Sequence, residues 1–142
     1  MKQNNQKGFS LIELLVVVTI VGIISALAVP LFKKAIIGSE NGAIFATTKI
    51  MMQDQISFYG QRARYARLDE LNAAGSNIFG TTVGNTIVRG KYTFTMTGSS
   101  IPPTDTELKE TFNIVATRTI DNAEVPYVIS VSPSGEIEQI VP

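Results

Sequence analysis

The chain opens with a short polar stretch and then carries an apolar run, in which no side chain from Leu14 to Phe32 is charged. At about 1.5 Å per helical residue this run covers roughly 28 Å, close to the hydrocarbon thickness of a bilayer. The acidic residue Glu13 stands at the mouth of the run. Because a carboxylate is costly to bury in lipid, the pattern predicts a membrane-spanning helix with a functional acid at its start.

The helical pattern continues beyond the apolar run to about Tyr59. Four apolar residues recur every seven positions and predict one stripe on the helix: Ile37, Ile44, Met51 and Phe58. Six more apolar residues flank this stripe on its two sides: Ile36, Ala43, Phe45, Ile50, Met52 and Tyr59. One sheet cannot cover three sides, so either this helix lies deep in its domain or one side meets neighbouring subunits. Gly60 is predicted to end the helix as its C-cap.

The hydrophobic period changes to two from Lys91 onward. Alternating apolar and polar residues predict four strands, near residues 92–97, 112–117, 127–131 and 136–141. Short connections with turn signals, at Asp121-Asn122 and at residues 132–135, favour an antiparallel meander with one face on the helix. The predicted fold class is therefore α+β, with a long N-terminal helix and a four-stranded antiparallel sheet.

The connector between the helix and the strands, residues 61–87, interleaves Arg62, Arg64 and Arg67 (the connector arginines) with Tyr65. Arginine and aromatic side chains in such a mixture can neutralise and stack on single-stranded DNA. The segment is therefore a candidate nucleic-acid contact.

A structural interpretation of the connector is favoured over DNA binding. Tyr65, Leu68 and Leu71 have the spacing to pin a short helix to the domain, which leaves the connector arginines solvated. Neighbouring acidic residues also dilute the positive charge, so we expect no nucleic-acid partner. The segment 77–90 is rich in Gly, Thr and Asn and is predicted to be a loop.

Composition narrows the chemistry that this chain of 142 residues, enough for one domain, can perform. It has no Cys and no His, which excludes thiol chemistry and removes the commonest general base and metal ligand. Asp105, Glu107 and Glu110 flank a Pro-Pro turn and are interpreted as solvated charge. We expect no enzyme activity, no catalytic residues, no metal and no cofactor.

The first residues resemble those of a known family. Residues 1–8 are polar, carry two lysines and end in Gly8; Phe9 follows, and Glu13 stands four positions after Phe9. A short basic leader that ends in Gly, then Phe, then Glu at this spacing resembles the type IV pilins and the related pseudopilins.

The resemblance implies how the chain is processed and where it works. Prepilin peptidase would cut between Gly8 and Phe9 and methylate the new amine of Phe9. Residues 9–32 would be the transmembrane and assembly segment, and residues 33–142 the globular pilin domain outside the membrane. The implied location is the bacterial inner membrane as a single-pass protein, and later an extracellular pilus.

The resemblance also implies partners and assembly residues. The subunit would polymerise through its N-terminal helix with identical or homologous pilins, after contact with inner-membrane lipid, prepilin peptidase and the pilus assembly machinery. Phe9 and Glu13 are the implied assembly residues. Gly22 and Pro30 weaken a helix, and the neutral account is a tolerated kink. In assembled type IV pili the segment between such positions often loses its helical structure.

Three alternatives stay open at the level of sequence. The first two are a pseudopilin of a type II secretion system and a DNA-uptake minor pilin. The absence of Trp and of a tight acidic cluster favours a pilus subunit over the major pseudopilin. The third is a secreted soluble domain, since Ala26-Leu27-Ala28 resembles a signal-peptide cleavage site before Val29. Glu13 lies inside that supposed apolar core, which counts against this reading.

The chain departs from many pilins at its C-terminal end. Those pilins tie down this segment with a disulfide, which a chain without Cys cannot form. The last strand is therefore expected to be held by ladder hydrogen bonds and by Ile137, Ile140 and Val141.

Overall fold

The computed structural model describes residues 8–118 and 127–141. Within them, the helices are α1 (Leu11–Arg62), α2 (Leu68–Ala74) and α3 (Glu107–Glu110). The strands are β1 (Thr81–Val83), β2 (Thr86–Arg89), β3 (Tyr92–Met96), β4 (Ile114–Arg118), β5 (Val128–Val131) and β6 (Ile137–Val141). The predicted turn at Asp121-Asn122 lies outside the described residues.

Two compact units divide the chain, one ending at Glu40 and the other beginning at Asn41. In the first unit, every large apolar side chain from Phe9 to Phe32 is at least 49% exposed. Among the described helices, α1 is the one that is long and apolar enough to cross a membrane. The exposed apolar helix predicted from the sequence is thus present. The predicted domain boundary at residue 33 stays a prediction.

Helix α1 is continuous through Gly22 and Pro30. Neighbouring turns hold an isolated helix together even where one residue lacks its hydrogen-bond donor. The loss of helix implied between these two residues concerns the assembled filament, so it stays a prediction.

The second unit contains one antiparallel sheet in which strand order follows chain order, β1-β2-β3-β4-β5-β6. The meander is confirmed, but its described part has six strands rather than four. The two extra strands, β1 and β2, arise from residues 77–90, which the sequence predicted to be a loop. Val83 pairs with Thr86, so a two-residue turn joins them. Gly84 has a φ of 57°, which suits the first position of a type II′ hairpin turn.

The strand alternation predicted from the sequence is confirmed in β3 and β4, where buried and half-buried residues alternate. The inner face of the sheet shares one core with helices α1 and α2. The predicted α1 stripe supplies Ile44 and Met51 to this core, and α2 supplies Leu68 and Leu71. The short α2 helix pinned by its leucines is therefore confirmed. Ile137 packs on the core from β6, whereas Ile140 is 55% exposed and does not hold that strand as expected.

The end of α1 differs from the prediction. Gly60 lies inside the helix, and the residue with left-handed backbone is Ala63, with a φ of 53°. The Ala63 N–H donates to the Tyr59 carbonyl over 2.8 Å, which closes the helix in an αL cap. The helix continues beyond Gly60, and a contact between side chains stabilises its last turn. The Arg62 guanidinium lies 5.2 Å from the centre of the Phe58 ring, one turn earlier in the helix.

A buried glutamine fixes the point where the chain turns back from α1. The Gln55 side chain is fully buried, donates to the Ala66 carbonyl over 2.8 Å and accepts the Ala66 N–H over 2.7 Å. Because both polar groups of Ala66 are satisfied by one side chain, the first residues of the connector are held against the last turns of α1.

Candidate assembly site at the start of the long helix

The predicted cleavage position lies just before α1. Gly8 and Phe9 have no regular secondary structure, and the Phe9 side chain is 89% exposed. A side chain added at Gly8 would meet no atom of the described residues within 4 Å. A protease must bind the chain in an extended form, so this exposed, non-helical junction is a physically suitable substrate.

Glu13 lies in the first turn of α1, where it takes part in a cap. Its Oε2 accepts the backbone N–H of Ser10 over 2.8 Å. The Ser10 hydroxyl in turn accepts the Ile12 N–H over 3.3 Å. The Glu13 bond is the one that a capping box makes, with Ser10 as the N-cap and Glu13 three residues later, while the Ser10 hydroxyl bonds the N2 rather than the N3 amide. We call this pair the capping box. The start of the helix at Leu11 is stabilised because two of the free donors there, the N–H groups of Ser10 and Ile12, have acceptors.

Ser10 is a residue that the sequence reasoning missed. The signal was present, because a Ser followed three residues later by Glu before an apolar run is the sequence signature of a capping box. Glu13 was predicted to matter as a charge at the membrane edge, and its acceptor role on its own helix was not predicted.

An apolar surface surrounds Glu13. A shallow groove there is lined by Phe9, Ile12, Glu13, Val16 and Val17. Their spacing places these residues on one side of α1. The carboxylate is thus the polar group of an otherwise apolar strip, which a second helix is able to cover.

Most of the predicted flank residues remain exposed in the second unit. Phe45 is 43% exposed, Ile50 45% and Tyr59 39%, whereas Met52 packs partly buried against the core. Ile56, which the prediction did not include, is 53% exposed beside them. The sequence left two options open, a deeply buried helix or a helix with one side free for neighbours. Ile44 and Met51 of the stripe are buried whereas most of these flanking side chains are not, so this part of α1 is not buried on all sides in the single chain. Contact of the exposed side with neighbouring subunits stays a prediction.

Two of the three connector arginines are neutralised within the chain. Arg64 makes a bidentate pair with Glu70, over 2.8 and 2.6 Å, and Arg67 binds Asp105 over 2.5 Å. The pairing with Arg64 lowers the pKa of the Glu70 carboxyl to about 2. The expectation that the arginines stay solvated is therefore wrong for Arg64 and Arg67, and little free positive charge is left for DNA.

The acidic residues predicted as solvated charge are also engaged. Besides the Asp105 pair, Glu107 accepts hydrogen bonds from the Ser100 hydroxyl over 2.5 Å and from the Thr104 N–H over 2.8 Å. These bonds lower the pKa of Glu107 to about 2. Glu107 therefore holds the loop before α3 in shape, while Glu110 is exposed as predicted.

Comparison with known proteins bears on the first segment of the chain. Residues 3–29 match the family described as "Prokaryotic N-terminal methylation motif". The type IV major pilin protein PilA of Myxococcus xanthus (strain DK1622) is 38% identical over 60 residues, which make up 42% of this chain. The chain is type IV pilin-like. The match spans 27% of the length of that relative, and no solved structure matches the chain.

The pilin-like segment coincides with the geometry described above. The matched motif covers Gly8, Phe9, the capping box and most of the exposed apolar part of α1. A prepilin-type motif followed by an apolar helix fits anchoring in the inner membrane and later assembly into an extracellular pilus.

Proposed function

We propose that this chain is the structural subunit of a type IV pilus filament. The observation that carries the proposal is the methylation motif over residues 3–29, set on a helix whose apolar side chains are exposed from Phe9 to Phe32. An apolar surface of this extent needs a cover, which lipid provides before assembly and neighbouring helices provide afterwards.

Processing is the first step of the proposed function. Prepilin peptidase would cleave between Gly8 and Phe9, which releases the leader of residues 1–8, and methylate the Phe9 amine. Cleavage changes the charge at the helix start, because the neutral Phe9 amide becomes a positive amine four residues before Glu13. A branched residue in place of Gly8 should leave the full-length precursor in the membrane.

Glu13 then acts as the assembly residue. In a filament core its carboxylate leaves the water and headgroups at the bilayer edge, and an unpaired ion there costs several kcal/mol. The next cation along the helix is Lys33, about 30 Å away. The Phe9 amine of a neighbouring subunit can supply the positive charge, which would set the axial register of each added subunit.

The remaining partners follow from the same proposal. The exposed flank of α1, with Phe45 and Ile56, would face other subunits, and the segment between Gly22 and Pro30 would lose helix in the filament. Prepilin peptidase, the assembly machinery and inner-membrane lipid are the transient partners. A pseudopilin would use the same N-terminal chemistry, but nothing in the chain favours it over a pilus subunit. The paired connector arginines do not favour a DNA-uptake role.

The test uses cells in which this chain is the sole source of subunit. Sheared surface filaments should contain the protein, and its mass should show residues 9–142 with one methyl group on Phe9. A first residue of Val29 would establish a signal peptide instead. Glu13→Ala should be made, cleaved and stable in the membrane, yet give few or no filaments. Normal filament yield from Glu13→Ala would rule out the pairing mechanism.

Two further substitutions separate the possible roles of Glu13. Glu13→Asp should assemble poorly because its shorter side chain cannot span the same distance. Glu13→Gln keeps an oxygen that can accept the Ser10 N–H but loses the charge, so it should also assemble poorly. If Glu13 only marks the membrane boundary, Glu13→Gln should behave as wild type.

A further inference from the structure

The two side chains of the capping box use their acceptor atoms unequally. Ser10 is fully engaged, because its hydroxyl and its carbonyl accept the N–H groups of Ile12 and Leu14 over 3.3 and 3.2 Å. Glu13 uses one oxygen, Oε2, on the Ser10 N–H. Its second oxygen, Oε1, accepts no hydrogen bond from any residue that the structure describes. The cap therefore fixes the carboxylate and leaves one oxygen available.

We propose that Ser10 is a positioning residue for Glu13, whose cap presents Oε1 of the carboxylate to the Phe9 amine of a second copy of this chain. This inference rests on the proposed filament function and specifies how its central ion pair is prepared. Ser10 itself contacts no partner in this mechanism.

The physical reason is preorganisation. A free glutamate side chain samples many rotamers, and it loses that freedom when it pairs with an ammonium group. The bond from the Ser10 N–H to Oε2 has already restricted those rotamers in the single subunit. A carboxylate that is already held in place loses less conformational entropy on pairing. Each added subunit therefore binds more tightly without making any new contact.

The Ser10 hydroxyl is what stabilises this arrangement. By accepting the Ile12 N–H it fixes Ser10 at the N-cap, which in turn aims the Ser10 N–H at Glu13. Removing a serine N-cap typically lowers the equilibrium constant for forming the first helical turn about fivefold. We therefore expect that replacing Ser10 by a residue without a hydroxyl gives the Glu13 side chain more rotamer freedom. This holds even though Glu13 bonds to the backbone N–H of residue 10 and not to the hydroxyl.

The test compares three variants of the full-length chain, each as the sole subunit source in the cell. Ser10→Ala removes the cap, and Ser10→Thr keeps a hydroxyl there. Thr86→Ala is the matched control, since it also removes a hydroxyl with a local bond, to the Val83 carbonyl over 2.9 Å, but lies in β2, outside residues 9–32. Filament yield after shearing is divided by the amount of cleaved, methylated subunit in the membrane, measured by mass.

We expect Ser10→Ala to lower this ratio about fivefold, with Ser10→Thr and Thr86→Ala within twofold of wild type. A normal ratio for Ser10→Ala would overturn the inference. So would a loss that Ser10→Thr fails to restore, because Thr carries the same capping hydroxyl. If Glu13→Ala also assembled normally, the proposed pairing itself would be wrong, which is a separate result.

A second measurement works even if a Ser10 variant resists cleavage. Hydrogen exchange of the full-length protein in detergent micelles reports the amide at position 10, whose N–H bonds to Glu13. Ser10→Ala and Glu13→Ala should each speed this exchange about fivefold, and Thr86→Ala should not change it. Unchanged exchange at position 10 in Ser10→Ala would show that the serine does not position Glu13.

Discussion

Replacing Glu70 by Gln should destabilise the globular part of the chain at neutral pH and have no effect in strong acid. The Glu70 carboxylate accepts two hydrogen bonds from the Arg64 guanidinium and one, over 3.0 Å, from the Arg67 N–H. The two side chains are 15% and 27% exposed, so this pair is mostly screened from water. Gln keeps the size of the side chain but lacks the charge and the second acceptor oxygen.

The magnitude follows from the Glu70 pKa, which falls from 4.5 to about 2 on folding. A shift of this size corresponds to roughly 3 kcal/mol of stability. Partial exposure reduces the value, so we expect Glu70→Gln to cost about 1 to 2 kcal/mol at pH 7. Because the folded pKa is the lower one, the contribution is complete above pH 4.5 and disappears as the pH falls toward 2.

The assay is urea unfolding of a fragment that starts at Lys34, followed by circular dichroism at pH 7, 4 and 2.5. The difference between wild type and Glu70→Gln should shrink along this series. Glu107, whose pKa is also lowered to about 2, is present in both proteins and cancels in the difference. Glu110→Gln, at an exposed site, is the matched control and should stay within 0.5 kcal/mol of wild type. An equal cost at pH 7 and pH 2.5 would refute the reasoning.

Three other predictions concern the same fragment. It should be soluble and folded, with an α+β far-UV spectrum, but unable to polymerise because the assembly segment is gone; a disordered spectrum would show that the boundary is misplaced. Ala63→Gly should raise the free energy of unfolding by about 1 kcal/mol, since Gly adopts the positive φ of this position without strain; a loss of stability in urea unfolding would contradict the αL cap. The fragment should bind no single-stranded DNA near physiological salt, because two of its three connector arginines are already paired. Micromolar affinity in a titration would contradict this. In that case, replacing the three arginines should reduce the salt dependence of binding by up to about three phosphate contacts.

Features with a local signal could be predicted from the sequence. The apolar part of α1 was predicted from an unbroken uncharged run and the strands β3 and β4 from alternation; each signal lies within one element, and both features are present. The hairpin of β1 and β2 was missed because its strands have three and four residues, with Ile87 as its fully buried side chain. Strands this short carry too few alternations to stand out from a Gly-, Thr- and Asn-rich loop.

The errors at charged residues have a different origin. The pair between Arg67 and Asp105 joins residues 38 positions apart, so no local pattern could indicate it. The end of α1 was misplaced because Gly60 is the residue type expected at a C-cap, while the bond network of Gln55 and Ala66 places the actual turn three residues later. At the candidate assembly site, Glu13 stands out by its charge beside an apolar run, whereas the signal for Ser10 is its position three residues before Glu13 at the helix start.

The order of the sheet has a consequence for how the chain folds. Every strand from β2 onward pairs with the strand made immediately before it, so no described strand has to wait for a later one. Loop closure is short and fast within the β1–β2–β3 meander, which favours its rapid folding, whereas β3 and β4 are joined through the longer segment that contains α3. A chain held at its N-terminal helix in a membrane could add hairpins one after another as it emerges, and β6, the last strand, would complete the domain only once translocation is finished.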